Sequence, residues 1–191
     1  MNPMFRRAGL CAGLLLGACA SETDRFYTLT TLPQIERAGA SAPSVHAVLS
    51  VKVPTLVDRS EMVINTSDTG IMVLDHERWT PALSDQVSQT LARDIEKRRS
   101  DVLVGDRGFD QGGAPPVIVK VDIVRMSARQ GGRASIEAHW RIVDESASLD
   151  EIAGDTFDAP LAATDYASVA AAYSQALSAL AERLAGRIRP H

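Results

Sequence analysis

The first eighteen residues constrain this chain most, because their pattern sets where a folded domain can begin. Arg6 and Arg7 precede an apolar run from Ala8 to Leu16, which is about nine residues long. A bilayer needs about twenty apolar residues, so this run is too short to span one. A basic start followed by a short apolar run is typical of a secretory signal peptide. Because the small residue Ala18 suits a peptidase, residues 1–18 are predicted to be removed from the mature protein.

The residues that close the apolar run also predict a lipid anchor. The string Leu16-Gly17-Ala18-Cys19 resembles the lipobox of bacterial lipoproteins, in which the cysteine receives a thioether-linked lipid. The resemblance implies three acyl chains, and two or more bind a membrane stably. In lipoproteins of this kind Asp after the cysteine retains the protein in the inner membrane, so Ala20 favours the periplasmic face of the outer membrane. A plain secretory signal or a buried helix is the alternative.

Cleavage before Cys19 leaves an acidic chain without a free thiol. Removing residues 1–18 takes away two arginines and no acid, so the net charge changes from −4 to −6, and no general nucleic-acid binding is expected. Cys11 leaves with the signal and Cys19 is consumed by the lipid, so neither can form a disulfide or act as a nucleophile. The remaining residues suit a short tether over 19–25 and one domain over 26–191.

Alternating apolar and polar residues predict a chain rich in strands. The clearest case is 133–142, where every second residue is apolar and Trp140 belongs to the apolar face. Residues 117–124 are mostly β-branched and predict a central strand. Turn residues at 67–70 predict a hairpin, and the Gly- and Pro-rich stretches 33–44 and 105–116 predict loops. The further strands are predicted over 26–29, 45–53, 62–65, 71–74, 102–104 and 152–157.

Two helices complete the predicted fold, over about 80–98 and 166–186. For the first, Thr80 is expected to cap and Pro81 to take the first helical position, before an apolar residue at every fourth position from Leu83 to Ile95. For the second, an apolar stripe through Tyr173 is expected to pack on the protein's own sheet, with a partner helix as the alternative. Strands interleaved with helices predict a single α/β domain, a mixed sheet packed by two helices.

Motifs that carry catalysis or cofactors are missing from the sequence. It has no G-x-S-x-G elbow, no H-E-x-x-H, no phosphate-binding G-x-x-x-x-G-K and no dinucleotide fingerprint. Glu137, His139 and Arg141 share one strand face, where a general base or a merely solvated face is possible, and the solvated face is favoured. His46 and His76 have no paired spacing for a metal. We therefore expect no enzyme, no metal and no cofactor apart from the covalent lipid.

An ordered set of short strings resembles one protein family. After the lipobox come Phe26-Tyr27-Thr28-Leu29, Val51-Lys52-Val53-Pro54, Leu56-Val57-Asp58-Arg59, Met62-Val63-Ile64 and Trp79-Thr80-Pro81-Ala82-Leu83. Their order and spacing resemble the ABC-type transport auxiliary lipoproteins, the PqiC and YmbA group. The stretch 173–180 is similar to the last helix of that family. The resemblance implies an α/β sandwich with a mixed sheet, and no catalysis.

The resemblance also implies partners. It implies a lipoprotein that works with an MCE-domain protein, and in many systems an ABC permease and ATPase, in lipid traffic between envelope membranes. Asp58 and Arg59 are the candidate partner-binding residues, because binding groups often lie on a loop after a strand that ends at proline. The alternative for Arg59 is a structural role, pairing with Asp58 or Glu61. The family often has an aromatic residue where this chain has Leu56-Val57.

Two other functions stay open from the sequence alone. The same anchor and acidic domain would serve a structural envelope lipoprotein that binds peptidoglycan or an outer-membrane assembly complex. The strands rich in Val and Ile could instead enclose a lipid, although a chain of this size would more readily fill its interior with side chains. A homo-oligomer is compatible with each of these functions. Neighbouring genes for an MCE protein and an ABC permease would favour the transport function.

Overall fold

The computed structural model of the chain describes residues 22–31, 33, 43–105 and 115–189. The predicted signal peptide, Cys19 and most of the two predicted loops lie outside these described residues. Ten elements follow in chain order: β1 (Arg25–Tyr27), β2 (Val45–Lys52), β3 (Glu61–Asn65), β4 (Ile71–Trp79), α1 (Leu83–Arg98), β5 (Val102–Gly105), β6 (Val117–Ala128), β7 (Arg133–Asp144), β8 (Leu149–Pro160) and α2 (Tyr166–Ala185).

The larger sheet has five strands in the order β5-β2-β6-β7-β8. Strand β2 pairs in parallel with both β5 and β6, whereas β6, β7 and β8 are antiparallel neighbours. The predicted central strand is confirmed, because β6 lies in the middle of this sheet. The predicted alternation of β7 is also confirmed, since Ala134, Ile136 and Trp140 are buried while Arg133 and Arg141 are exposed.

Both helices cover the inner face of the larger sheet. Helix α2 contacts α1, β7 and β8, and α1 contacts β2 and β5. The apolar stripe predicted for α1 is buried from Leu83 to Ile95, and Tyr173 of α2 is buried with its ring 6.4 Å from that of Trp79. The C-terminal helix therefore packs within its own chain, as predicted. Among the described residues no helix is long and apolar enough to cross a membrane.

The start of α1 corrects the sequence prediction. The helix begins at Leu83, its N-cap residue is Ala82, and the peptide between Thr80 and Pro81 is cis. Thr80 does not cap the helix, because it lies two positions before the N-cap residue, and no side-chain cap bond is made there. Its backbone N–H donates to the carbonyl of Tyr27 at 3.0 Å, which continues the pairing of β4 with β1. Thr80 and Pro81 therefore lie in the connection between β4 and α1, and not in the first turn of the helix.

The predicted α/β domain, with mixed β structure packed by two helices, is confirmed, and its eight strands are divided between two sheets. The second sheet has three strands in the order β1-β4-β3. The predicted hairpin is confirmed, with β3 and β4 antiparallel, and β4 continues to Trp79. Strand β1 pairs in parallel with the second half of β4, Arg25 opposite Glu77. The pairing of β3 with β4 shifts between Glu61 and Met62, as at a β-bulge.

A polar link joins the two helices inside the core. The Arg98 guanidinium donates to the Ser178 hydroxyl at 2.5 Å and to the Asp94 carbonyl at 3.1 Å. The Asp94 side chain is fully buried, and this burial raises the pKa of its carboxyl, although Arg98 and Lys97 oppose the shift. Sequence periodicity gave no reason to place a carboxyl here.

Substitution of Trp140 tests the packing of the core. Its indole is buried against Phe157, with ring centroids 6.3 Å apart. We expect Trp140→Ala to lower the free energy of unfolding by about 3–5 kcal/mol, because a large cavity replaces the ring. Trp140→Phe should cost less, since it keeps a ring and removes an indole N–H that lacks a hydrogen-bond partner in the described part of the chain. Urea unfolding measures both, and a loss under about 1 kcal/mol for the alanine variant would contradict this packing.

Candidate partner-binding site

Asp58 lies on the loop between β2 and β3, and its carboxylate reaches the start of α1. Asp58 Oδ1 accepts a hydrogen bond from the backbone N–H of Ser84 at 3.1 Å. The first N–H groups of a helix lack partners within the helix, and the N-cap residue Ala82 has no side-chain oxygen to supply one. Asp58 therefore caps α1 from a distant loop, where its negative charge also favours the positive end of the helix dipole.

Arg59 is held at the start of β3. Its Nε donates to Glu61 Oε2 at 3.0 Å, and its side chain remains 44% exposed. This hydrogen bond is the main reason that the pKa of the Glu61 carboxyl falls to about 2. Pairing with Glu61 was the structural alternative given by the sequence. It occupies one nitrogen of a guanidinium that carries five N–H donors, so it does not by itself prevent binding of a partner.

A series of ion pairs continues from Arg59 across the three-stranded sheet. Glu61 Oε1 lies 3.5 Å from an Arg78 terminal nitrogen, and Arg78 Nε lies 3.2 Å from Asp24 Oδ2. The members of this ion-pair network are Glu22, Asp24, Arg59, Glu61, His76 and Arg78.

His76 ends the network at the N-terminal side of the described chain. Its Nδ1 lies 2.9 Å from Asp24 Oδ1, and its Nε2 lies 3.4 Å from Glu22 Oε2. These carboxylates raise the pKa of His76, with the hydrogen bond to Asp24 as the largest cause. Protonation of the ring therefore strengthens its hold on the segment before β1, and this contribution is lost as the pH rises through the raised pKa.

The opposite face of β1 is fixed by a buried carboxylate. Glu77 is buried and accepts from the Tyr27 hydroxyl at 2.5 Å, and it also pairs with Arg25. Burial and the bond to Glu77 raise the pKa of Tyr27 to about 12, so the phenol stays protonated and donates. The chain after β1 is fixed in turn, because Gln86 Oε1 accepts from the Leu29 N–H at 2.6 Å.

The outer face of the larger sheet is the second surface that the sequence singled out. Glu137, His139 and Arg141 share it, but they do not form one site. Arg141 makes two hydrogen bonds to Asp150, at 2.8 and 2.6 Å, and Glu137 lies 3.7 Å from Arg125. The favoured interpretation, a solvated strand face, fits these separate pairs.

His139 lines an open groove of about 540 Å³ on this outer face. A Cβ at Gly154 would lie 2.5 Å from the His139 ring, so the glycine leaves room for the imidazole over β8. Within the described ranges no group of three or more His, Cys, Asp or Glu residues is placed to hold a metal ion.

The sequence missed most of the ion-pair network. It predicted Asp58 and Arg59, which the structure places side by side with different partners, α1 and Glu61. It did not predict that Asp24, His76 and Arg78 connect to Arg59 through Glu61. The available signal was the run Asp75-His76-Glu77-Arg78, four charged or titratable residues inside a strand that otherwise begins and ends apolar.

Comparison with known proteins places the chain in a family. Residues 27–185 match the model of the family described as the ABC-type transport auxiliary lipoprotein component. The chain belongs to this family of auxiliary transport lipoproteins, which confirms the resemblance drawn from its short strings. No curated protein matches the sequence significantly.

Two solved structures are similar in fold. The crystal structure of an uncharacterized protein has a TM-score of 0.72 at 16% identity, covering 88% of this chain and 100% of the other. The protein XCC0632 from Xanthomonas campestris has a TM-score of 0.65 at 20% identity, covering 85% of this chain and 93% of the other. At these identities the likeness shows the fold alone.

The capping role of Asp58 predicts a specific loss of stability. Asp58→Ala should lower the free energy of unfolding by about 0.5–2 kcal/mol, because Ser84 loses the acceptor for its backbone N–H. Asp58→Asn is the matched control, since asparagine is also a good cap and should retain most of the stability. Urea unfolding of both variants measures the effect. Equal stability of the alanine variant and the parent would show that Asp58 does not cap α1.

Proposed function

We propose that this protein is a non-enzymatic subunit of an MCE-type envelope lipid transport system, anchored through a lipid on Cys19 to the periplasmic face of the outer membrane. The observation that carries the proposal is the family match over residues 27–185, together with the lipobox-like string that precedes it. In this role the protein docks the MCE component, whose ABC permease and ATPase act at the other membrane. The sequence after Cys19 supports the outer membrane, because Ala20 stands where Asp would favour retention.

The arrangement of the described side chains favours binding over catalysis. Several charged residues of the outer sheet face form separate pairs between neighbouring strands, such as Arg141 with Asp150 and Arg125 with Glu137. The ion-pair network joins loops and strands by pairing carboxylates with cations. Its members include no serine, threonine or cysteine nucleophile beside a base. Such a network positions a surface for a partner.

The loop with Asp58 and Arg59 is the proposed docking site. Asp58 fixes the loop to α1, and the loop presents the half-exposed Arg59 guanidinium with Nε bound to Glu61. The terminal nitrogens of Arg59 can donate to a carboxylate of the partner in a bidentate pair. Arginine on a rigid loop is a common centre of binding energy in protein interfaces.

The anchor is tested by Cys19→Ser in the full chain. The substituted protein should stay folded, because the domain does not depend on the lipid, but it should leave the outer-membrane fraction. Membrane fractionation at high salt measures the effect, with the unchanged protein as control. Continued pelleting of the folded serine variant with outer membranes would show that Cys19 is not the anchor.

The docking site is tested by Arg59→Glu in the lipidated protein held in detergent. Binding to the periplasmic part of the MCE protein encoded nearby should weaken about tenfold or more, while the melting temperature changes little. Arg183→Glu is the matched control, because Arg183 is 48% exposed and paired with one acid, Asp155, in another part of the molecule. It should leave the affinity unchanged.

Two outcomes would contradict the docking proposal. Unchanged affinity with a clearly lowered melting temperature would leave Arg59 only its structural pairing with Glu61. Absence of MCE binding by the unmutated protein would favour the structural envelope lipoprotein that binds peptidoglycan or an outer-membrane assembly complex.

A further inference from the structure

The segment before β1 is bound to the body of the protein and does not hang free from it. Asp24 and Glu22 both contact His76, at 2.9 and 3.4 Å, and Asp24 also contacts Arg78 at 3.2 Å. Strand pairing places Arg25 opposite Glu77, so Asp24 lies beside His76 as an extension of the same parallel register. Residues 22–24 therefore run along β4 beyond the start of β1.

The direction of this segment follows from the parallel pairing. Because β1 and β4 run the same way, the chain before Arg25 leaves the sheet toward the end where β4 begins. That end is the β3–β4 hairpin. Cys19 lies three residues before Glu22, and three extended residues span at most about 11 Å. The described chain thus points toward the hairpin at Glu22, a short length of sequence after the proposed lipid site.

The β3–β4 hairpin exposes large apolar side chains of the kind that contact lipid. Ile71 and Met72 are 44% and 47% exposed, although both are large and apolar. Successive strand residues point to opposite faces of a sheet, so Ile71 and Met72 expose apolar surface on both sides of β4, just behind the polar turn 66–70. A flat protein surface could cover only one of these sides, whereas a lipid surface surrounds an inserted edge on both.

A second turn lies beside the hairpin and extends the same end of the molecule. Asp68 of the hairpin turn pairs with Arg129 at 2.8 Å, and Arg129 begins the turn between β6 and β7. Arginine has a long apolar stem and a charged head that suit the boundary between lipid chains and headgroups. We call the residues Asp68, Ile71, Met72 and Arg129 the hairpin end.

We propose that the hairpin end is the membrane-contacting surface of the protein, held there by the ion pairs of Glu22 and Asp24 with His76. The inference rests on the proposed lipid on Cys19 and adds an orientation to it. Strand β3 runs from Glu61 to the hairpin, so Arg59 lies beyond its opposite end. The docking loop then faces the periplasm, where an MCE protein can reach it.

Fluorescence quenching by brominated lipids tests this orientation. The full lipidated protein is reconstituted in vesicles of phosphatidylethanolamine and phosphatidylglycerol, with or without bromine on the acyl chains. Met72→Trp reports on the hairpin end. Ile152→Trp is the matched control, because Ile152 is 76% exposed and follows Glu151, whose partner Arg187 lies just past the end of α2. The fluorescence of the unmutated protein is subtracted, since its buried Trp79 and Trp140 are present throughout.

Brominated lipid should remove most of the fluorescence added at position 72 and little of that added at position 152. Equal quenching at both positions, quenching only at position 152, or none at either position of a vesicle-bound protein would overturn the orientation. Failure of the unmutated protein to bind vesicles would instead overturn the lipid anchor, so the two proposals fail in different ways.

A second pair of variants tests the ion pairs. Combining Glu22→Gln and Asp24→Asn with Met72→Trp should keep the protein on the vesicles through its lipid but reduce the quenching at position 72. The control combines Asp85→Asn with Met72→Trp, because Asp85 is an exposed acid in the first turn of α1. Unreduced quenching after loss of both tether carboxylates would show that these ion pairs do not hold the hairpin end to the membrane.

Discussion

Burial of one face of the five-stranded sheet under α1 and α2 is the interaction on which the rest of the structure depends. Strands β6 and β7 each have a row of buried apolar side chains on one face, and α2 has buried residues along its whole length. Neither cysteine can form a disulfide in the mature domain if residues 1–18 are removed and Cys19 is lipidated. The hydrophobic core must then supply the stability, at roughly 25 cal/mol per Å² of apolar surface removed from water.

The three-stranded sheet is attached to this core by polar contacts as much as by apolar ones. Met62 and Ile64 bury their side chains, but β1 is fixed by the buried Glu77 carboxylate and by Gln86, which accepts from the N–H of Leu29. The N–H of Thr30 donates to the Ser174 hydroxyl of α2 at 3.0 Å. A short edge strand needs such bonds, since three residues bury little surface. The N-terminal segment is consequently tied to both helices.

The sequence predicts well those features that depend on the spacing of apolar residues or on local turn residues. Examples are the alternation in β7, the hairpin turn at 67–70 and the apolar stripe of α1. What it misses depends on residues far apart in the chain. Thr80 looks like a helix cap by local rules, yet the cap comes from Asp58, twenty-six positions before Ser84. The division of the strands into two sheets likewise depends on pairings between distant segments, such as β1 with β4 and β2 with β6. The ion-pair network joins three separate stretches of chain, so the charged run 75–78 marks one stretch of it but not the partners in the other two.

The same network connects the segment before β1 with the loop that carries Arg59. Arg78 is shared between Asp24, beside the tether, and Glu61, which in turn holds Arg59. Exposed ion pairs contribute little each, but a shared cation loses less conformational freedom per pair than isolated pairs do. Without Asp24, Arg78 would keep Glu61 and the Ser60 hydroxyl as partners. Asp24 and Glu61 share this one cation, so the segment before β1 and the loop with Arg59 belong to one connected surface of the three-stranded sheet.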